Sequence, residues 1–402
     1  MRRYPIPLLV VVALCCLVTC SDDAANEPAD DTGTDGGSAG AAGDASVEPP
    51  SCQDAGSIYG PVLIGTTPES IPAECPSPST PLSTIVEAQM RSTQEAADAR
   101  RAELLDPGAL TVVTCGTGTP LPSDRAQSCT AVFANGQFLL FDAGNGAAQS
   151  LEDLLLPVSD LSALFITHYH SDHVADVGEV ASRSWLLGRQ GHLQAYGGEG
   201  IERLVDGFNL VYSLDDRYRE AHHGDTFLTP GTGGMEANRV DATPEGAVIY
   251  EVDGVTVTAF QVDHSPVEPA HGYLVSFGGR SVAISGDTMD CPGLAALAKG
   301  ADVLVAEVLD PTAIEGFECA SGRLGNTRNE EVFADIRTYH LHTAKLAALA
   351  EAAGVGTLVL THQIPTLEPE QAEMVFRGTI EAAYSGELVI AVDGTEVSVP
   401  VP

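Results

Sequence analysis

The sequence predicts an α/β fold with helices outside its sheets, behind a disordered acidic N-terminal tether. Three observations carry that reading. From Ala109 onward, short apolar runs rich in β-branched residues alternate with Ala- and Leu-rich stretches at helical spacing, the interleaving of layered α/β domains. Four of those runs end in a potential metal ligand: ALFIT before His168, VTVTAFQVD before His264, SVAIS before Gly286-Asp287, and TLVLT before His362. Between Ser21 and Gly56, by contrast, there are nine acids, no basic residue and almost nothing to bury, so ordering entropy is not offset there.

The chain begins with RRYPIPLLVVVALCCLVTC at residues 2–20, in which two arginines precede an apolar run from Ile6 to Val18, the layout of a signal peptide. That run is shorter than the roughly 20 residues that span a bilayer. Its end, LVTC, resembles a bacterial lipobox, so Cys20 is the expected lipid anchor and the expected location is outside the cytoplasm, facing periplasm or cell surface; plain cleavage to a soluble secreted protein is the alternative. The chain thus divides into a lipoprotein-type signal peptide (1–20), the acidic linker (21–56), an N-terminal extension with a helix over 83–106 closed by Pro107-Gly108 (57–108), and the main domain (109–402).

The formal net charge is −37 and the only lysines are Lys299 and Lys345. Such a field repels polyanions, so no nucleic-acid partner is expected. Beyond Cys20, six cysteines remain, an even number that permits three disulfides in an exported chain. Pairing of sequence neighbours gives Cys52 with Cys75, Cys115 with Cys129 and Cys291 with Cys319.

In the main domain LTVVTC, QFLLFDAG, ALFITH, VTVTAFQVDH, YLVSFGG, SVAISGD, DVLVAEV and TLVLTH read as strands. Residues 146–156, 174–187, 293–299 and 343–353 read as helices, the last closed by Gly354, and Trp185 with Leu186-Leu187 as helix core. His192, His222, His223 and His271 have no ligand-like setting and read as structural or solvent-exposed.

FITHYHSDHV, residues 165–174, crowds His168, His170, Asp172 and His173 at the end of an apolar run. Imidazole and carboxylate suit borderline divalent metals, zinc above all. Alternate residues His168 and His170 can face one metal, while Asp172 and His173 face a second.

HYHSDH resembles the HxHxDH signature of the metallo-β-lactamase superfamily, and the likeness runs from about Leu110 to the end. It implies a four-layer αββα sandwich and two divalent metal ions. It also implies that His264 completes the first site, Asp287 bridges, and His362 completes the second. GTGTPLPSDRAQS at 116–128, LLFDAGNG at 139–146, HSPVEPAHGY at 264–273 and YHLHTAKLAALAEAAGVGTLVLTHQIP at 339–365 are similar to the ribonuclease Z and arylsulfatase group. In that group a histidine heading the helix before AGV donates a proton. His340 fits by spacing, with His342 the alternative; these two and Asp172 are the candidate catalytic residues. Glu307 reads equally well as a partner orienting a histidine or as a plain surface or cap carboxylate.

The expected function is hydrolysis of small sulfate or phosphate esters by a hydroxide held between two metals. Between Leu193 and Tyr250, where a basic RNA-gripping arm would be sought, there are four arginines, no lysine and ten acids. A lactonase or β-lactamase is the alternative on the same scaffold; an iron-dependent oxidoreductase and a non-catalytic binding lipoprotein are the readings from other classes.

Overall fold

A computed structural model describes residues 81–402, with side chains from Thr84 onward. The proposed signal peptide, Cys20, the acidic linker and the Cys52–Cys75 pair lie outside those residues. The chain opens with α1 (Pro81–Leu104), close to the helix predicted over 83–106. The first sheet takes β1 (Ala109–Gly116), β2 (Cys129–Ala134), β3 (Gln137–Phe141), β4 (Leu161–Phe165), β5 (Leu193–Gly197) and β6 (Met235–Arg239). The second takes β7 (Ala247–Val252), β8 (Val255–Gln261), β9 (His271–Phe277), β10 (Arg280–Ile284), β11 (Val303–Leu309), β12 (Thr357–Ile364) and β13 (Glu387–Ile390). The last strand, β14 (Thr395–Pro400), returns to pair antiparallel with β1, so the sheets run β14-β1-β2-β3-β4-β5-β6 and β13-β12-β11-β10-β9-β8-β7.

Period-two alternation decides what each strand faces. In β1, Leu110 and Val112 pack between the sheets while Val113 and Cys115 point outward; in β3, Leu139 and Phe141 point inward, Phe138 and Leu140 outward. In β11, Val303 and Val305 face the first sheet, and Leu304 and Ala306 face helices. Burial on both faces is why these strands read as continuous apolar runs. The outward side of the first sheet is covered by α2 (Ala147–Asp153), α4 (Val177–Leu186) and α5 (Ile201–His223), after the single turn α3 (Ser171–Val174). The outward side of the second is covered by α6 (Pro292–Ala298), α9 (Thr343–Ala353) and the helical run 369–381. The result is the expected four-layer αββα arrangement.

Between the sheets Phe165 stacks on Phe141 at 4.9 Å and on Tyr196 at 4.9 Å, with Tyr273 at 5.7 Å. Phe165→Ala is expected to cost about 3–5 kcal/mol, the usual scale for a buried aromatic, read as a lower denaturation midpoint with unchanged slope.

All eight strands read from the sequence are present. Those missed are β2, the half-exposed edge or near-edge strands β5, β6, β7 and β13, and β14, which alternates half-buried and exposed residues with none fully buried. The largest omission is α5, which buries only Ile201 and Val205 and so presents little apolar periodicity. The helices α7 (Pro311–Arg323) and α8 (Thr327–Ile336), between β11 and α9, were equally unread, each starting at a side-chain cap, Asp310 and Asn326. Trp185 is core as expected, but Leu187 is the C-cap of α4 and is 56% exposed.

Two cysteine expectations part ways. Cys115 and Cys129 are bonded across the adjacent strands β1 and β2, with Cα atoms 5.0 Å apart. Cys291 and Cys319 are not paired. The Cys291 Sγ instead accepts from Leu294 N at the start of α6, and Cys319 lies exposed on α7.

Candidate metal centre

The site is built where several strands give out at one edge of the sandwich. After β4 the chain continues extended through His168 and His170 and then turns as α3, which carries Asp172 and His173. Asp142, just beyond β3 at φ 59°, holds this segment in place. Its carboxylate accepts from Thr167 N and Thr167 Oγ1, each at 2.8 Å, and takes His173 Nδ1 at 2.7 Å. With Nδ1 bound to the carboxylate, His173 presents Nε2 to the centre. The place of Asp142 in the site is not evident from LLFDAGNG alone, where an aspartate directly after an apolar strand is the available signal.

His264 follows β8 and donates Nδ1 to Tyr339 O at 3.0 Å, which likewise aims Nε2 inward. Asp287 follows β10 through Gly286, whose φ of 59° and whose missing Cβ, which would lie 2.7 Å from His271 O, require glycine. His362 interrupts the β11–β12 ladder: Glu307 pairs with Thr361 and Val308 with Gln363, leaving His362 unpaired at φ 40°.

These segments bring together two groups of potential ligands, His168, His170, His264 and Asp287 in one, and Asp172, His173 and His362 in the other. Asp287 faces both. Its Oδ2 lies 3.4 Å from His173 Nε2 and 3.9 Å from the Nε2 atoms of His168 and His264, and its Oδ1 lies 3.6 Å from His362 Nδ1. In the second group His362 Nε2 is 3.1 Å, and His173 Nε2 3.6 Å, from Asp172 Oδ2. In the first, His168 Nε2 and His170 Nδ1 are 2.9 Å apart.

The donor set fits two cations on an observation independent of family. His173 Nε2, His264 Nε2 and His362 Nδ1 are buried without any hydrogen-bond partner. A polar atom left so costs about 1–3 kcal/mol, and here three of them converge on one carboxylate. The buried His/Asp clusters are therefore consistent with a dinuclear metal site.

A third group, Asp287, Glu307, His340 and His362, overlaps the second. Both Glu307 oxygens are already engaged, Oε1 by Thr288 N at 2.7 Å and Oε2 by His340 Nδ1 at 2.8 Å. Glu307 is thus buried against a histidine, which resolves the two readings the sequence left open. His340 Nδ1 is also 4.0 Å from Asp287 Oδ2. His342 belongs to none of the three groups: it is the N-cap residue of α9, with Nε2 2.9 Å from Arg337 O. His192, His222 and His223 are exposed, and His271 is buried outside the cluster.

Electrostatics follow from burial and crowding. Burial lowers the His168 and His170 pKa values below the ordinary imidazole range, and neighbouring histidines add to the effect. Burial also opposes charge on His173, but Asp287 and Asp142 outweigh it and hold His173 well above that range. For Asp287, burial is outweighed by His362, His173 and His168, so it stays well below the usual carboxylate range. Burial likewise disfavours charge on His340, but Glu307 and then Asp287 reverse this and raise it.

A profile for the β-lactamase superfamily domain matches residues 138–363, which run from within β3 into β12 and include every residue of the two groups. The chain belongs to the metallo-β-lactamase superfamily. Within that superfamily, ribonuclease Z of Mycobacterium marinum is 34% identical over 292 residues, covering 72% of this chain and 98% of that protein. Ribonuclease Z of Mycobacterium avium is 34% identical over 295 residues, again covering 72% of this chain and 99% of the relative. Among solved structures of the superfamily, human tRNase Z, short form, has 20% identity and a TM-score of 0.51 over 73% of this chain and 99% of its own, a likeness of fold. This chain is accordingly a ribonuclease Z-like metallo-β-lactamase-fold hydrolase that depends on metal.

Proposed function

We propose that the protein hydrolyses small phosphate or sulfate esters, phosphodiesters foremost, with two zinc ions. The observation that carries the reading is the placement of the His340–Glu307 pair against Asp287, the carboxylate that faces both groups of ligands. His168, His170, His264 and Asp287 would hold one ion, and Asp172, His173, His362 and Asp287 the other. When bound, such a pair supplies Lewis acidity and a hydroxide nucleophile at neutral pH. The chain's own contribution is orientation and one proton. Asp142 and Tyr339 O fix the rings of His173 and His264, and Glu307 holds the Nδ1 proton of His340, leaving Nε2–H to protonate the departing oxygen.

Substrate size is inferred from charge. A groove of about 310 Å³ runs beside the loop that carries His264, lined by Asp263, Glu268, Val267, Pro269 and Cys291 and by no lysine or arginine. With the ten acids between Leu193 and Tyr250, this lining disfavours a polyanion. Ribonuclease Z relatives at 34% identity favour a second reading, cleavage of an RNA phosphodiester. A panel of bis(4-nitrophenyl) phosphate, an aryl sulfate, a lactone, a chromogenic lactam and a precursor tRNA, offered to zinc-loaded protein, separates these. The expected result is turnover of the diester at least about tenfold above the lactone and lactam, with no tRNA cleavage at 150 mM salt, near physiological strength. Cleavage of tRNA with a steep salt dependence would replace the small-ester reading, and iron with oxygen consumption would replace the hydrolytic one.

Export and anchoring at Cys20 belong to the same proposal. The Cys115–Cys129 bond supports it, because disulfides persist in oxidising compartments. Membrane fractionation of the full chain beside Cys20→Ala tests it, with the variant expected in the soluble fraction.

A further inference from the structure

The left-handed backbone at His362 raises the question of what holds it. A non-glycine residue at φ 40° costs on the order of 1–3 kcal/mol and persists only where its surroundings over-determine it. The next residue supplies the restraint. Gln363 is fully buried, and its side chain folds back across the bulge, Nε2 donating to Leu360 O at 3.1 Å and to Ala391 O at 2.7 Å. Its Oε1 accepts from Arg125 Nη1 at 3.3 Å. Arg125 in turn donates to Thr117 Oγ1, Ala391 O and Leu367 O. Asp393, beyond β13, takes Thr117 N, Thr117 Oγ1 and Ala126 N at 2.7–2.9 Å. The loop from Thr117 to Ala126, the end of β12 and the β13–β14 turn are thereby tied at one buried amide.

We infer that Gln363, backed by Arg125, is a positioning residue for the second metal site, clamping the bulge that turns His362 toward Asp172 and Asp287. The inference rests on the two-metal reading above. Gln363 touches neither ligand oxygens nor substrate; it acts through the backbone on either side of His362.

The amide's role can be removed without leaving its partners bare. Leu360 O also accepts from Ala391 N at 3.0 Å, and Ala391 O keeps Arg125. Gln363→Met therefore deletes the clamp at nearly constant volume, and Gln363→Glu deletes only the amide donor while keeping a partner for Arg125, so at least one of the two retains packing. The test is a cobalt titration of metal-free protein followed by visible absorption. The first equivalent is expected to bind and absorb as in the parent protein. The second is expected to bind about 10–100-fold more weakly with a shifted band, the scale on which partners of ligands act. Wild-type affinity and spectrum for both equivalents in both variants would overturn the inference, as would equal weakening of the two, which marks a general loss of structure. Fewer than two ions bound by the parent protein would overturn the two-metal reading, and this inference with it.

Discussion

Asp287→Ala is expected to leave fewer than two metal ions per chain after dialysis and to lower turnover by at least about 10³-fold, the scale on which a group that stabilises charge at the reacting centre acts. Among the described residues, no other carboxylate stands within 4.0 Å of as many as five ring nitrogens, those of His168, His173, His264, His340 and His362. Its loss removes a donor from both groups at once. The same substitution has a second consequence in metal-free protein. There Asp287 is the strongest influence raising the His173 pKa against burial, so its removal leaves that buried imidazole with Asp142 at 2.7 Å and Asp172 at 3.6 Å. Breaking one side of a buried charge pair costs about 3–5 kcal/mol. The pH dependence has a definite sign. Because the folded-state pKa of Asp287 lies well below its ordinary value of 3.8, its contribution to stability is present above that value and lost as pH falls through the folded pKa. Acid unfolding of metal-free parent protein should therefore steepen below that value more than in Asp287→Ala. Elemental analysis and denaturant melts at several pH values read both effects. Full activity in the variant would remove the dinuclear assignment.

What the sequence disclosed follows from how rigid each feature is. Three of the ligand-bearing strands, β4, β10 and β12, were readable because the residues leading to the ligand are mostly buried on both faces, so their apolar runs stop abruptly, whereas β8 was readable from its Val/Thr alternation. The helix over 343–353 was bounded correctly because Gly354, at φ 71°, occupies the left-handed position that ends it. The candidate ligand set was readable from HYHSDH and its distant complements, whereas three features depend on tertiary contact alone. Asp142 matters because β3 and β4 are parallel neighbours, which puts it beside Thr167 and His173. The choice between His340 and His342 turns on which ring reaches Glu307, from a strand over 30 residues away in sequence. The bulge at His362 appears only in the pairing of β11 with β12. Cys291 and Cys319 show the opposite failure, in which proximity in sequence suggested a bond that the fold does not make. Edge strands and α5 were lost because half-exposed elements carry weak periodicity.

The His340–Glu307 pair yields the other large effect. His340→Ala is expected to lower turnover by about 10²–10⁴-fold while both metals remain bound, the range for loss of a general acid. The loss should be steepest for esters with poor leaving groups, since a nitrophenolate departs without a proton and an alkoxide does not. Because Glu307 is the largest source raising His340 against burial, the imidazole stays protonated to higher pH than an isolated one, and activity falls as pH rises through its pKa. Glu307→Gln keeps the hydrogen-bond acceptor and removes the charge. Its alkaline limb should therefore shift to lower pH, with maximal turnover retained on the acid side to the extent that His340 is still held in place. His342→Ala serves as the comparison: it loses one bond to Arg337 O, worth about 1 kcal/mol of stability, and keeps activity within about twofold. Rate profiles between pH 5 and 10, a range that brackets the ordinary imidazole value, distinguish the cases. An unshifted limb in Glu307→Gln, or a larger loss in His342→Ala than in His340→Ala, would transfer the proton-donor role elsewhere.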